Sequence, residues 1–274
     1  MRQEDKDYIV SELINLRESK NINDPRVQVY FQPIYDTGMG IFAAAEALVR
    51  LRTKKLGLLQ PTHFINLAEK NECIHALSLN VLNKVCAEIK KMTDRNKPPD
   101  WISVNFSITE LKNENFCDEI LEIIDSYSIP RSTIAIELTE TSNRGTEFDQ
   151  AKACMEKLEE SGIRFFLDDF GTGYSNLDRL VLLPFDVIKF DRTILFLATK
   201  GNNKSYRVIS GLSNIFKSLD CKILFEGIET ESDEVAGITM GADYLQGFLY
   251  SKPVPAQEYE QFLSIRETEG IENG

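Results

Sequence analysis

Eight short runs of β-branched and aromatic residues recur along the chain: residues 27–35, 41–48, 101–106, 133–138, 164–167, 185–190, 222–225 and 242–248. From the second run onward, the intervening stretches are long enough for helices. They carry apolar residues at three-to-four spacing, as Leu77, Val81, Leu82, Val85 and Ile89 do. That alternation calls for parallel strands joined by crossover helices. The first link is the exception, because Asp36-Thr37-Gly38-Met39-Gly40 leaves room only for a hairpin turn. The first strand must therefore run antiparallel to the second. The simplest assembly is an α/β fold, a TIM-like (β/α)8 barrel with the first strand antiparallel to the rest. The 274 residues suit it, since such barrels use about 250.

The expected organisation is an N-terminal helix and lead-in over residues 1–26, the barrel over 27–265, and a charged, frayed tail over 266–274. Tyr8, Ile9, Leu13, Ile14 and Leu16 give the lead-in one apolar face, which would pack on the barrel or continue from an upstream domain. A net charge of −12 argues against a broad surface for duplex nucleic acid or anionic lipid, so an anionic substrate would need metal ions or local cations. No apolar run approaches the roughly 18 to 20 residues of a membrane span, and the N-terminus is too charged for a signal peptide, so the expected location is cytoplasmic. Cys73, Cys86, Cys117, Cys154 and Cys221 are scattered and odd in number, and are expected to be reduced. With only His63 and His75 available, any chemistry must lean on carboxylates.

Polar residues fall near the ends of seven of these runs: Glu46, Asn105, Glu137, the Asp168-Asp169 pair, Lys189, Glu226 and Gln246. The C-terminal rim of a barrel is where active sites are built, and ionisable groups near strand interiors are otherwise costly to bury. Five of these residues are carboxylates, whose mutual repulsion divalent metal would relieve. An all-oxygen set with no Cys or His suits Mg²⁺, Mn²⁺ or Ca²⁺. Phe170-Gly171-Thr172-Gly173 should end the strand, letting both aspartates reach a paired-metal centre.

The segments Ala45-Glu-Ala-Leu-Val-Arg50, Val104-Asn105-Phe106-Ser107, Glu137-Leu138-Thr139-Glu140, Asp168-Asp169-Phe170-Gly171-Thr172-Gly173-Tyr174-Ser175, Lys189-Phe190-Asp191, Glu226-Gly227-Ile228-Glu229-Thr230 and Gln246-Gly247-Phe248 resemble the EAL family of cyclic di-GMP phosphodiesterases, in the family's order and over nearly the whole chain. The resemblance implies hydrolysis of one phosphodiester of cyclic di-GMP to linear pGpG, with two divalent ions, Mg²⁺ or Mn²⁺, and with Ca²⁺ binding but inhibiting. It implies Glu46, Asn105, Glu137, Asp168 and Asp169 as metal ligands, with Glu226 and Gln246 completing the shell directly or through water. Lys189 and Glu226 would position or deprotonate the attacking water, so Glu46, Lys189 and Glu226 form the implied catalytic set. Gln32, Leu48, Arg50 and Gln246 match substrate-binding positions, with Arg50 a phosphate clamp. Glu140 matches the anchor of the loop from Asp169 to Ser175, from which a homodimer is expected. An upstream sensory or cyclase domain is a further expected partner.

Three positions depart from the family pattern: Leu51 where tryptophan is common, Phe190 where an aliphatic residue is usual, and Phe225 where a small residue precedes Glu226. Phe225 is the one that would tilt Glu226 or narrow the pocket. Each residue also has a structural alternative. The aspartate pair could cap a turn, Glu137 or Lys189 could join an ion pair, and Arg50 could pair with a rim acid. Two other functions compete: a catalytically silent receptor for cyclic di-GMP or a protein partner, and an unrelated acid/base enzyme such as a glycosidase. The last would want exposed tryptophans, and Trp101 is the only one.

Overall fold

The hairpin forms as the turn chemistry requires. Asp36 accepts hydrogen bonds on Oδ1 from the backbone N–H groups of Gly38 (2.9 Å) and Met39 (2.8 Å), and Gly40 takes φ +72°. This joins β1 (Val27–Asp36) to β2 (Ile41–Thr53) in an antiparallel register that sets Gln32 opposite Glu46 and Gln28 opposite Arg50. The computed structural model describes residues 1–113, 115–139, 146–171, 182–200 and 203–269, so Glu140 and loop residues 172–175 lie outside the described residues.

β2 then pairs in parallel with β4 (Trp101–Phe106), followed by β5 (Ile134–Thr139), β6 (Arg164–Phe170), β7 (Val187–Phe190), β8 (Lys222–Phe225) and β9 (Tyr244–Leu245). Antiparallel pairing of β9 with β1 closes the barrel, and β3 (Gly57–Leu59) is a short arm on β2 outside the ring. The expected barrel with one reversed strand is the fold observed. Its outer layer contains α2 (Ile65–Lys70), α3 (Ile74–Asp94), α4 (Phe116–Ser126), α5 (Thr146–Glu160), α6 (Arg192–Lys200), α7 (Asn203–Lys217), α8 (Glu231–Thr239) and α9 (Ala256–Glu269). The lead-in helix α1 (Gln3–Ser19) packs on α2 and α3 through buried Ile9, Leu13 and Leu16.

Inside the barrel each of the eight strands contributes one residue to a buried apolar layer: Ile34, Ala44, Trp101, Ala135, Phe166, Val187, Leu224 and Tyr244. Trp101 sits edge-on to Phe166 and Tyr244, at centroid distances of 4.7 and 5.6 Å. It is a plug of the barrel floor rather than a sugar platform. Because side chains alternate along a strand, the residue two positions toward the C-terminal mouth on each strand faces the same interior. The apolar floor therefore dictates which residues line the mouth.

Strand ends differ from the sequence runs. β6 extends through Phe170, and Asp169 within it takes φ +56° at a register slip between Leu167 and Phe170. That bulge, rather than the end of the strand, turns consecutive aspartates to one rim, in a conformation that Asp tolerates better than most residues. β9 is shorter than its run because Gly247 lies against the Ile228 backbone, where a Cβ would sit 2.0 Å from the Ile228 carbonyl oxygen. The cysteines bring a correction. Cys73, Cys86 and Cys221 are free and buried, but Cys117 of α4 and Cys154 of α5 are disulfide-bonded, with Cα atoms 6.0 Å apart. The two helices pack side by side, a proximity that a separation of 37 residues conceals in sequence. His63 ends a short 3-10 turn, and His75 pairs with Glu119 at 3.0 Å, so neither joins the carboxylates.

Phe225 points away from the mouth, since it alternates with inward Leu224. It meets Phe190 edge-on at 4.9 Å, and Phe190 stacks on Phe170 at 5.3 Å and faces Phe216 of α7 at 5.9 Å. Two departures from the family pattern are thus one packing event in the outer core, and the expected tilt of Glu226 has no steric source there. Leu51 is likewise buried in that core. Replacing Phe225 with Ala should lower the unfolding free energy by about 3–5 kcal/mol, read from urea denaturation. A loss near zero would mean that the aromatic cluster is not cohesive.

Candidate active site at the barrel mouth

Two residues beyond the apolar floor, the eight strands present Gln32, Glu46, Ser103, Glu137, Asp168, Lys189, Glu226 and Gln246. β1 runs the opposite way, so its member precedes Ile34 in sequence. Asn105, one further inward step along β4, and Asp169 at the bulge join them. The expected ligand residues, Lys189 and the two glutamines therefore converge on one face of one barrel.

Lys189 lies at the centre, fully buried. Its Nζ is 2.6 Å from Glu137 Oε2, 2.8 Å from Glu226 Oε1, 2.9 Å from Asp168 Oδ1 and 3.6 Å from Glu46 Oε2. Glu46 also accepts from Asn105 Nδ2 (2.8 Å) and Gln246 Nε2 (2.7 Å). Gln246 in turn donates to Gln32 Oε1 (3.2 Å), and Gln32 donates to the Ser251 carbonyl (3.2 Å). Amides thus hold one carboxylate in place while the ammonium gathers the others.

The electrostatics follow from burial and neighbours. Burial disfavours charge on Lys189, yet Asp168, Glu137, Glu226 and Glu46 raise it well above the ordinary lysine value, so it stays an ammonium. Glu137 is raised well above the carboxylate range by burial and by Glu46. Glu226 is pushed up to about 8, chiefly by burial. Burial and the charge of Asp168 push Asp169 up to about 6. Glu46 goes the other way: burial opposes its charge, but Lys189 and the hydrogen bonds from Gln246 and Asn105 hold it below its ordinary value.

These residues fit a divalent cation. Asp168, Asp169 and Glu226 each offer an oxygen within 4.8 Å of the others. Glu137 Oε1 is buried with no hydrogen-bond partner, a surplus acceptor in a cluster of five carboxylates and one ammonium. Hard oxygen donors of this kind match Mg²⁺, Mn²⁺ or Ca²⁺.

Two cavities flank this ring and share Glu46 and Leu48 as a common ridge. The larger, about 400 Å³, runs between β2, β4 and α3, and the smaller, about 290 Å³, is bounded by Gln32, Glu226, Gly247 and Phe248. Arg50 lies four residues beyond Glu46 on the same face of β2 and off both cavity walls. Its guanidinium is 5.3 Å from the Tyr30 ring centroid and donates to the Val49 carbonyl (2.9 Å), with no ion pair among the described residues. The rim-acid alternative is therefore not what holds it.

Several site residues went unassigned in sequence. Arg192 and Glu229 form a paired fork (Nη1 to Oε1 and Nη2 to Oε2, both 2.6 Å) on the smaller cavity. Half-exposed Phe248 lies two residues past Gln246. Ser103 completes the ring. The two-residue step that places Lys189 also marks Ser103, once the floor residues are known.

With metal removed, Lys189→Met would leave buried carboxylates without their cation. The variant should lose about 3–5 kcal/mol in chelator and recover much of it in Mn²⁺, measured by denaturation. Equal stability in chelator would refute the central role of the ammonium. The metal-free chain should also respond to pH. Glu226 and Asp169 hold protons in the folded state that the unfolded chain releases, so stability should fall as pH rises from about 4.5 to about 8. Glu46 has the opposite sign and costs stability as pH drops through its lowered value. The melting midpoint in chelator across this window tests both, and a midpoint that rises toward pH 8 contradicts the assignment.

Comparison with known proteins identifies relatives of the whole barrel. Cyclic di-GMP phosphodiesterase NbdA of Pseudomonas aeruginosa is 29% identical over 88% of this chain and 31% of its own length. Cyclic di-GMP phosphodiesterase RocR of the same species is 27% identical over 89% and 62%. The chain thus spans about a third of NbdA and three-fifths of RocR. The solved structure of PaMucR phosphodiesterase in its c-di-GMP complex superposes with a TM-score of 0.80 at 27% identity, covering 92% of this chain and 99% of that one. The EAL domain model matches residues 15–253, a span that includes every described member of the mouth. The chain belongs to the EAL domain family.

Proposed function

We propose that this chain is a metal-dependent phosphodiesterase that hydrolyses cyclic di-GMP to linear pGpG and so lowers a bacterial second messenger. The observation that carries this reading is the ring at the mouth: four carboxylates on the buried Lys189, with Asp169 beside Asp168 and Glu226, flanked by two cavities. A cyclic dinucleotide has two bases on either side of its phosphodiesters, and the Glu46–Leu48 ridge divides the mouth in the same way.

Glu46, Asn105, Glu137, Asp168, Asp169 and Glu226 would hold two Mg²⁺ or Mn²⁺ ions. When bound, these supply charge neutralisation for the phosphodiester and its entering and departing oxygens. Lys189 and Glu226, 2.8 Å apart, would orient the attacking water and take its proton. Gln246 fixes Glu46 and is itself held by Gln32, and Arg50 would reach in from the rim to clamp a phosphate. Ca²⁺ would bind and inhibit. A homodimer organised by Glu140 and loop residues 169–175, a cytoplasmic location, and an upstream sensory or cyclase domain belong to the same reading. Among the described residues no helix is long and apolar enough to cross a membrane.

Chromatography of cyclic di-GMP incubated with the chain and Mg²⁺ or Mn²⁺ should show pGpG. Glu46→Ala should reduce turnover by at least about 10²-fold, the scale of losing one transition-state electrostatic contact. Arg50→Ala should raise KM by about 10- to 100-fold with a smaller change in kcat, as expected of a charge-assisted hydrogen bond. Tight binding without cleavage in every metal would instead identify the silent receptor.

A further inference from the structure

We infer that Glu110 selects the base of the bound dinucleotide by accepting the N–H donors of a guanine edge in the larger cavity. This rests on the cyclic di-GMP reading above and adds a specificity residue to it.

The cavity, of about 400 Å³, is within the size range of small-molecule sites and has apolar walls from Leu48, Val49, Ile65, Leu77, Val81 and Phe106. Such walls suit the faces of a planar aromatic ring. Glu46 and Asn105 also line it, so a base lodged there stays tethered to a phosphodiester at the carboxylate ring. Glu110, on the short 3-10 turn Glu110–Lys112 after β4, is another of its lining residues and is 5% exposed. Its Oε2 accepts the Ser107 backbone N–H at 2.9 Å, and its buried Oε1 makes no hydrogen bond of normal geometry. The Ser78 hydroxyl is near enough to ease the carboxyl's ionisation without completing that bond. Burial pushes the group up to about 7, and the charge of Glu69 adds to the rise. A carboxylate left in this state is stabilised by any ligand that brings donors to it.

Guanine does so with adjacent N1–H and N2–H groups. Hypoxanthine has only N1–H, and adenine offers an acceptor at N1. A site built around an unmet acceptor rejects ligands that lack the matching donor, because binding them leaves it unpaired. Glu110 needs no contact with the reacting phosphate for this role, so its effect falls on binding.

The test measures Kd by calorimetry in Ca²⁺, and KM and kcat in Mn²⁺, for cyclic di-GMP and its hypoxanthine analogue cyclic di-IMP. The unaltered chain should prefer guanine by about 10- to 100-fold. Glu110→Gln is nearly isosteric and can still accept from Ser107, but presents an NH₂ group to the donor edge. It should bring the preference to within about threefold, with the loss in Kd and KM rather than kcat. A Glu110→Gln chain that keeps the preference overturns the inference alone. Should that variant fail to fold, the unaltered chain decides: a guanine-to-hypoxanthine ratio near one also overturns it. Selective binding without turnover supports the inference while refuting the phosphodiesterase reading. Absence of cyclic di-GMP binding refutes both.

Discussion

The ammonium of Lys189, buried among carboxylates, is the interaction on which the mouth depends. Without a cation, Glu46, Glu137, Asp168 and Glu226 could not share so small a volume in the charged state. With it, the cluster is held together but unevenly satisfied. Glu137 keeps a buried oxygen with no partner, and Glu226 and Asp169 titrate well above ordinary carboxylates. One positive charge organises the ring without neutralising it. The surplus negative charge is what makes the ring receptive to hard divalent cations, and the amides of Asn105 and Gln246 keep Glu46 from moving into the gap.

This arrangement follows from a simpler one beneath it. The apolar layer from Ile34 to Tyr244 seals the barrel interior with one side chain per strand. Strand pleating then sends the next inward residue of each strand to the mouth. The polar ring is therefore held in register by hydrophobic packing, and Trp101, Phe166 and Tyr244 contribute to the site as its floor. The reversed first strand brings Gln32 into the same ring from the opposite chain direction, opposite Glu46 in the hairpin register.

The aromatic cluster of Phe170, Phe190, Phe216 and Phe225 packs in the outer layer, apart from the inward-facing ring. Phe190 follows Lys189 and Phe225 precedes Glu226, so each bulky residue adjoins a member of the ring. Alternation places them on the other side of the sheet, where they fill space against α7. The two rings meet edge-on, and neither enters the mouth.

Much of this was legible in the sequence, because it depends on periodicity and local turn chemistry. The alternation of short strands with helical segments, and the five-residue link after Tyr35, determined a barrel with one reversed strand. The motifs determined which carboxylates would gather, and at which end. Tertiary structure decided what depends on distance between remote segments. It placed Lys189 at the centre, turned Asp169 inward by a bulge rather than a strand end, joined Cys117 to Cys154, and packed Phe225 against Phe190 away from Glu226. It also drew Glu110, Arg192 and Glu229 onto cavity walls, roles with no spacing rule to mark them. Local pattern fixes which face a residue takes, but the partner it meets there is set by the closure of the barrel.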